Sequence, residues 1–234
     1  MNWQSFIKWT NDNSGFLSFI LFIATVLFGW FSGLFNSLIR KPKLKVRFIE
    51  KASFYCFFYT GNKYYHPNLK ETFDLHQTGF SVYMSIANIG NMPTSIDKIY
   101  LGYYRNHKKG SLFGRQINWL PQWHTFDNFK IEYENATITI PPLRIRTEFF
   151  MDKDNDSLGV GRSIVGVAYF EQEESWGNYN PRTMNDEDGI KIIIKIKDVY
   201  GKNYKFKTTL ESKSLDEAQR INSTFGIIST IIKK

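Results

Sequence analysis

The chain has 234 residues, with 30 Lys and Arg against 22 Asp and Glu, giving a formal charge of +8. That length allows one domain with a substantial core, or two small ones, beside any membrane segment. The lone cysteine, Cys56, excludes an intrachain disulfide framework, and the basic residues are dispersed among acidic ones, which argues against a nucleic-acid partner.

Residues 1–15 read as a short tail whose Trp3, Phe6 and Trp9 suit an interfacial aromatic belt. From Phe16 to Ile39 no side chain is charged (FLSFILFIATVLFGWFSGLFNSLI), and about 20 apolar residues of helix suffice to cross a hydrocarbon core. The run is too long for a signal h-region, its leading segment is barely basic, and no small-residue cleavage site follows. A transmembrane helix over 16–39 is expected. Arg40, Lys41, Lys43, Lys45 and Arg47 come straight after it, whereas Lys8 is the only basic side chain before it. Lys and Arg resist translocation, which puts the tail outside and residues 40–234 on the cytoplasmic side of an inner (plasma) membrane. The same five residues are candidates for contact with anionic lipid. Thr25, Gly29, Gly33 and Ser37 recur every four residues, and small residues at that spacing let helices approach closely, so self-association of the span is expected.

Residues 40–51 hold a basic juxtamembrane linker and a first strand, Lys43–Ile49, which alternates basic and apolar residues. Ser53–Tyr59 is rich in aromatics, and Phe80–Ile89 alternates so that Val82, Met84 and Ile86 share one face. A turn over 90–93 leads into Ile96–Tyr103. The stretch 106–135 reads as less regular, with a basic loop (Arg105, His107, Lys108, Lys109, Arg115) and a patch of Trp119, Pro121 and Trp123. Further strands are expected at Ile138–Ile140, Leu143–Phe150, Ile164–Phe170, Ile190–Lys197 and Tyr204–Leu210. Strands joined by turns, with no helical crossovers, imply an antiparallel β-sandwich or barrel over 52–212. Residues 213–234 read as an amphipathic helix: Ser214 suits the N-cap, Asp216 and Glu217 the first turn, and Lys233 and Lys234 the carboxyl end. Ala218, Ile221, Phe225, Ile228 and Ile232 keep a heptad-like spacing along it.

Two segments carry a family likeness. SVYMSIANIGNMPTSIDKIYL, from Ser81 to Leu101, resembles the strand–turn–strand of immunoglobulin-like sandwiches in bacterial surface and membrane proteins. IKIIIKIKDVYGKNYKFKTTL, from Ile190 to Leu210, resembles their terminal hairpin, in which Asp198, Gly201 and Tyr204 shape a tight connection. The resemblance implies an immunoglobulin-like fold for a single-pass membrane protein and no activity. The general plan is also similar to the membrane-plus-β-barrel effectors of phage defence. Those carry two spans where this chain offers one.

Reactive constellations are sparse. His66, His76, His107 and His124 lack the spacing of a zinc helix, and Cys56 sits in an apolar strand, where a thiol is inert packing. Asp152, Asp154 and Asp156 begin like a calcium loop, but Ser157 and Ser163 stand where its Gly and Glu are required, so a solvated turn is expected. No catalytic residue, cofactor or metal is expected. The expected function is a non-enzymatic binding or assembly module whose partners are the bilayer and a protein or a second copy. The alternative is an antiviral or toxin-type effector: the basic loop Arg105, His107, Lys108, Lys109 and Arg115 binds a small anionic ligand such as a cyclic nucleotide, and clustered spans perturb the membrane.

Overall fold

The structure is a computed structural model, described here for residues 3–33, 40–105, 116–123, 127–133, 136–143, 157–181, 183–184 and 187–227. Two helices open the chain, α1 (Trp3–Asp12) and α2 (Ser14–Phe31). Among the described residues eleven strands follow: β1 (Leu44–Phe48), β2 (Phe54–His66), β3 (Glu71–Asn88), β4 (Ile96–Tyr104), β5 (Ile117–Pro121), β6 (Phe129–Tyr133), β7 (Ala136–Ile140), β8 (Ser163–Glu171), β9 (Thr183–Met184), β10 (Glu187–Asp198) and β11 (Asn203–Ser212). A short helix, α3 (Leu215–Ile221), comes last.

The 18-residue β3 organises the domain. One edge pairs with β8, while the other takes β1 along residues 84–88 and β2 along residues 71–81. A second layer runs β11–β10–β4–β5. Among the described residues the layers join where β2 touches β11 through Phe54 and Tyr55, where Trp123 bridges to Tyr169 of β8, and where Thr94, ahead of β4, pairs with Leu158, ahead of β8. The result is mainly β and sandwich-like. It departs from a purely antiparallel sheet because the β2–β11 pair is parallel.

Side chains alternate across a strand, so one strand can serve two cores. Phe80, Val82, Met84 and Ile86 of β3 point between the layers and meet Ile190, Ile192, Ile194 and Ile196 of β10 with Ile99 and Leu101 of β4. The opposite parity of β2 and β8 (Phe54, Cys56, Val167 and Tyr169) faces outward into a second core, closed by Phe129, Ile140, Ala218 and Phe225. Each fully buried Val, Leu, Ile, Phe or Met among them contributes about 1.5–3 kcal/mol. The stretch expected to be irregular, 106–135, thus holds β5 and β6, and β6 pairs with β7, which contains the expected strand Ile138–Ile140, to supply the lid of the second core. Beyond Leu143, the strand expected over 143–150 lies outside the described residues, as do Asp152, Asp154 and Asp156.

Two turn predictions hold atom by atom. Asp198, wholly buried, accepts from the Tyr200 and Lys202 amides at 3.0 and 2.8 Å, and Gly201 takes φ +81°. The Tyr204 hydroxyl lies 3.1 Å from Asp198 Oδ2. Buried Asn88 accepts from the Gly90 amide at 3.0 Å and donates to the Met92 carbonyl at 2.8 Å.

The terminal helix is shorter than its heptad spacing suggests. Ser214 caps it in a reciprocal box with Glu217, as expected. Asn222 then leaves helical geometry at φ −146°, and Gly226 takes φ +78°. Phe225 therefore continues no stripe. It turns into the second core, 5.3 Å from the Phe54 ring and 5.2 Å from that of Tyr169. Ile228, Ile232, Lys233 and Lys234 lie outside the described residues.

Candidate functional site

Three features can bear function: the apolar helix, the basic strand beside it, and an open seam in the β domain.

Helix α2 is long and apolar enough to cross a membrane, with mean hydropathy 2.0. None of its large apolar side chains is buried; Leu21, Phe22, Phe28 and Phe31 are 65–83% exposed. In water such a surface would be strongly unfavourable, whereas a lipid solvent suits it. The helix starts two residues before the expected boundary and ends at Phe31, where Gly33 adopts φ +76° and its amide turns back to the Trp30 carbonyl. Thr25 and Gly29 lie on α2, while Gly33 forms its terminus and Ser37 is outside the described residues.

Arg40, Lys41, Lys43, Lys45 and Arg47, which follow α2 in the chain, are all exposed. Strand alternation brings Lys43, Lys45 and Arg47 to one outward face of edge strand β1, because Leu44, Val46 and Phe48 turn into the core. The linker is fixed to the sheet by its backbone. Lys41 N–H donates to Asn91 Oδ1 at 2.8 Å, and the Ile89 amide donates to the Lys43 carbonyl at 2.8 Å. Gly90 is required here, since a Cβ would sit 2.4 Å from the Lys41 carbonyl oxygen.

The seam lies where β5 approaches β8. The Trp123 amide donates to the Tyr169 carbonyl at 2.8 Å. Continuing that antiparallel register sets Pro121 opposite Glu171, and proline has no N–H to donate across the gap. Beyond it, β8 departs from β3 by a bulge of one extra residue: Gln172 donates to Thr78 and Ser175 pairs with His76, leaving Glu173 and Glu174 together opposite Gln77. The sheet therefore parts into a cleft of about 510 Å³ bordered by Trp119, Trp123, Trp176 and Tyr179, with Glu171, Glu173 and Glu174 along one side.

Its floor is an organised polar network. Asn118 Nδ2 donates to the Tyr103 hydroxyl at 2.7 Å, and that hydroxyl lies 3.0 Å from Gln172 Oε1 and 2.8 Å from the Tyr179 carbonyl. Burial pushes the Tyr103 phenol up to about 12. Glu171, 6% exposed, accepts from Tyr169 at 2.9 Å; burial raises its carboxyl pKa, and that hydrogen bond partly offsets the rise. Burial lowers the His76 pKa, and His76 Nε2 lies 3.3 Å from the Gly177 carbonyl, which fits a neutral ring protonated on Nε2. The walls are braced from outside: Trp176 stacks on Phe73 at 4.9 Å and Tyr64 at 5.7 Å, and Asn62 donates to Glu174 at 2.7 Å. Trp119 lies over Gly102 and carries Lys195 Nζ 4.4 Å from its ring centroid.

Of the basic loop, Arg105 alone lies among the described residues; His107, Lys108, Lys109 and Arg115 do not. The Arg105 guanidinium sits 4.5 Å over the Tyr179 ring at the mouth of the cleft. Cys56 is buried and its thiol is pushed up to about 11, first by desolvation and then by the charge of Glu217, so it stays protonated and unreactive at neutral pH. Among the described residues no group of three His, Cys, Asp or Glu side chains could hold a metal ion. Nothing in the local sequence marks the cleft as such, although the Trp119–Pro121–Trp123 patch lies on its β5 wall. A proline inside a strand is itself an edge signal.

No family model and no curated protein matches the chain. Among solved structures it is similar to one described as "X-ray structure of Northeast Structural Genomics Consortium target SoR45", at 8% identity over 75% of this chain and 88% of that one, with a TM-score of 0.24. A likeness at that level carries no argument.

Proposed function

We propose that this protein is a non-enzymatic binding and assembly module tethered to a membrane by α2. The observation that carries the reading is the apolar, unsheathed α2 followed by an exposed basic face on β1. In this reading the helix crosses an inner membrane with its N-terminus outside, and Arg40, Lys41, Lys43, Lys45 and Arg47 rest against anionic lipid on the cytoplasmic side. The β domain is an immunoglobulin-like sandwich, supported by the strand–turn–strand of residues 81–101 and the hairpin of 190–210. It meets a protein partner or a second copy, and Thr25 and Gly29 let spans approach one another.

The test is alkaline carbonate extraction of bacterial membranes carrying the protein, with protease added to intact spheroplasts and to inverted vesicles. The protein is expected to stay in the pellet and to be digested only in inverted vesicles. Release by carbonate would remove the anchor, and digestion in spheroplasts would reverse the orientation. Loss of membrane potential on expression, abolished by Gly29→Leu, would replace the tether with an effector.

A further inference from the structure

We infer that the seam between β5 and β8 is a docking slot for an extended, basic peptide segment of a partner protein, which enters as an added β-strand. The inference rests on the reading of the chain as a binding module and names what that module binds.

The argument begins with the backbone. In β5 the Gln116 carbonyl accepts from Arg105 and the Gln122 amide donates to Ile99, so even-numbered residues face β4. Trp119 and Pro121 therefore turn their backbone groups the other way, as Trp123 does in reaching Tyr169. Across the cleft, Gln172 faces β3 through its bond to Thr78, which turns the Glu171 N–H and carbonyl toward the gap. Among the described residues no hydrogen bond joins these two edges beyond the Trp123–Tyr169 bridge. Facing strand edges without partners are a template for another strand.

Charge and shape select among peptides. Glu171, Glu173 and Glu174 line the slot on a chain whose overall net charge is +8, so a cationic segment is complemented and an acidic one repelled. Trp119, Trp123 and Trp176 offer apolar surface for the alternate side chains of an extended peptide. Pro121 gives the slot selectivity, because it withholds one donor and so discourages indiscriminate edge pairing. Bracing by Phe73, Tyr64 and Asn62 holds the acidic wall in place before anything binds.

The test uses the full chain in detergent micelles and a fluorescent, end-blocked peptide alternating lysine and valine, read by anisotropy. Controls are the glutamate–valine peptide and a lysine–valine peptide with alternate amides methylated. The lysine–valine peptide is expected to bind at least about tenfold tighter than either control, since tenfold corresponds to roughly one or two lost backbone hydrogen bonds. Glu173→Lys, an exposed change, is expected to cost a similar factor while the unfolding midpoint stays put. Equal binding of the methylated peptide would overturn strand addition, and indifference to Glu173→Lys would overturn the slot. No saturable binding of the lysine–valine peptide would overturn both. None of these outcomes touches membrane anchoring, which carbonate extraction decides separately.

Discussion

Single residues set both the opening of the seam and its acid–base behaviour. Pro121 removes the donor that would close β5 onto β8, and the Glu173–Glu174 bulge carries the opposite wall away. Glu171 remains buried between them with a raised pKa. A carboxyl whose pKa is higher folded than unfolded is best accommodated protonated. Its contribution to stability therefore falls as pH rises from the unfolded value of about 4.3 through the raised native value, and stays low above it. Glu171→Gln keeps an acceptor for Tyr169 and removes the ionisation. Its melting temperature is expected to exceed that of the parent at pH 7 and to match it below about pH 4. A gap unchanged at acid pH would mean that the carboxyl is not the cause. His76 has the opposite sign: its lowered pKa means that stability is lost as pH falls from about 6.5 through the native value.

At the scale of elements, the terminal segment shows how a helical spacing can be interrupted by a better local use of the same residues. Ala218 and Phe225 are both buried, but α3 delivers only the first. The turn at Asn222–Gly226 swings Phe225 between Phe54 and Tyr169. Phe225→Ala is expected to cost about 3–5 kcal/mol of stability in chemical denaturation, the range for a buried aromatic lost to a cavity. Gly226→Ala is expected to destabilise too, through the positive φ and a Cβ 2.9 Å from Phe58 Cζ. A continuous helix with Phe225 on its exposed surface would instead leave Phe225→Ala nearly neutral. The strands were more legible than this helix. Val82, Met84 and Ile86 share the face that alternation gives them. β5 and β6 were not: each is only five residues long, β5 ends on a proline, and the alternation of Phe129, Ile131 and Tyr133 with Lys130 and Glu132 is too brief to stand out.

At the scale of the molecule, the chain is an apolar helix and a β domain joined by a linker that the sheet itself holds. Because α2 leaves its large apolar side chains exposed, the β layers owe it little buried surface. Removing residues 1–39 is expected to yield a water-soluble domain whose denaturation free energy stays within about 0.5 kcal/mol of the full chain, as for other changes outside a core. A large loss would show that the helices help hold the β layers. The apolar helix, its basic flank, the alternating strands and the turn over 90–93 are legible in the sequence alone, and the tight connection at Asp198–Gly201 came from the family resemblance. Each follows from periodicity, charge or the needs of a few neighbouring residues. The parallel contact of β2 with β11, the second core and the cleft at Pro121 emerge only on folding. Those depend on which distant edges meet and which fail to, and hydrogen bonding between remote strands leaves no mark on local spacing.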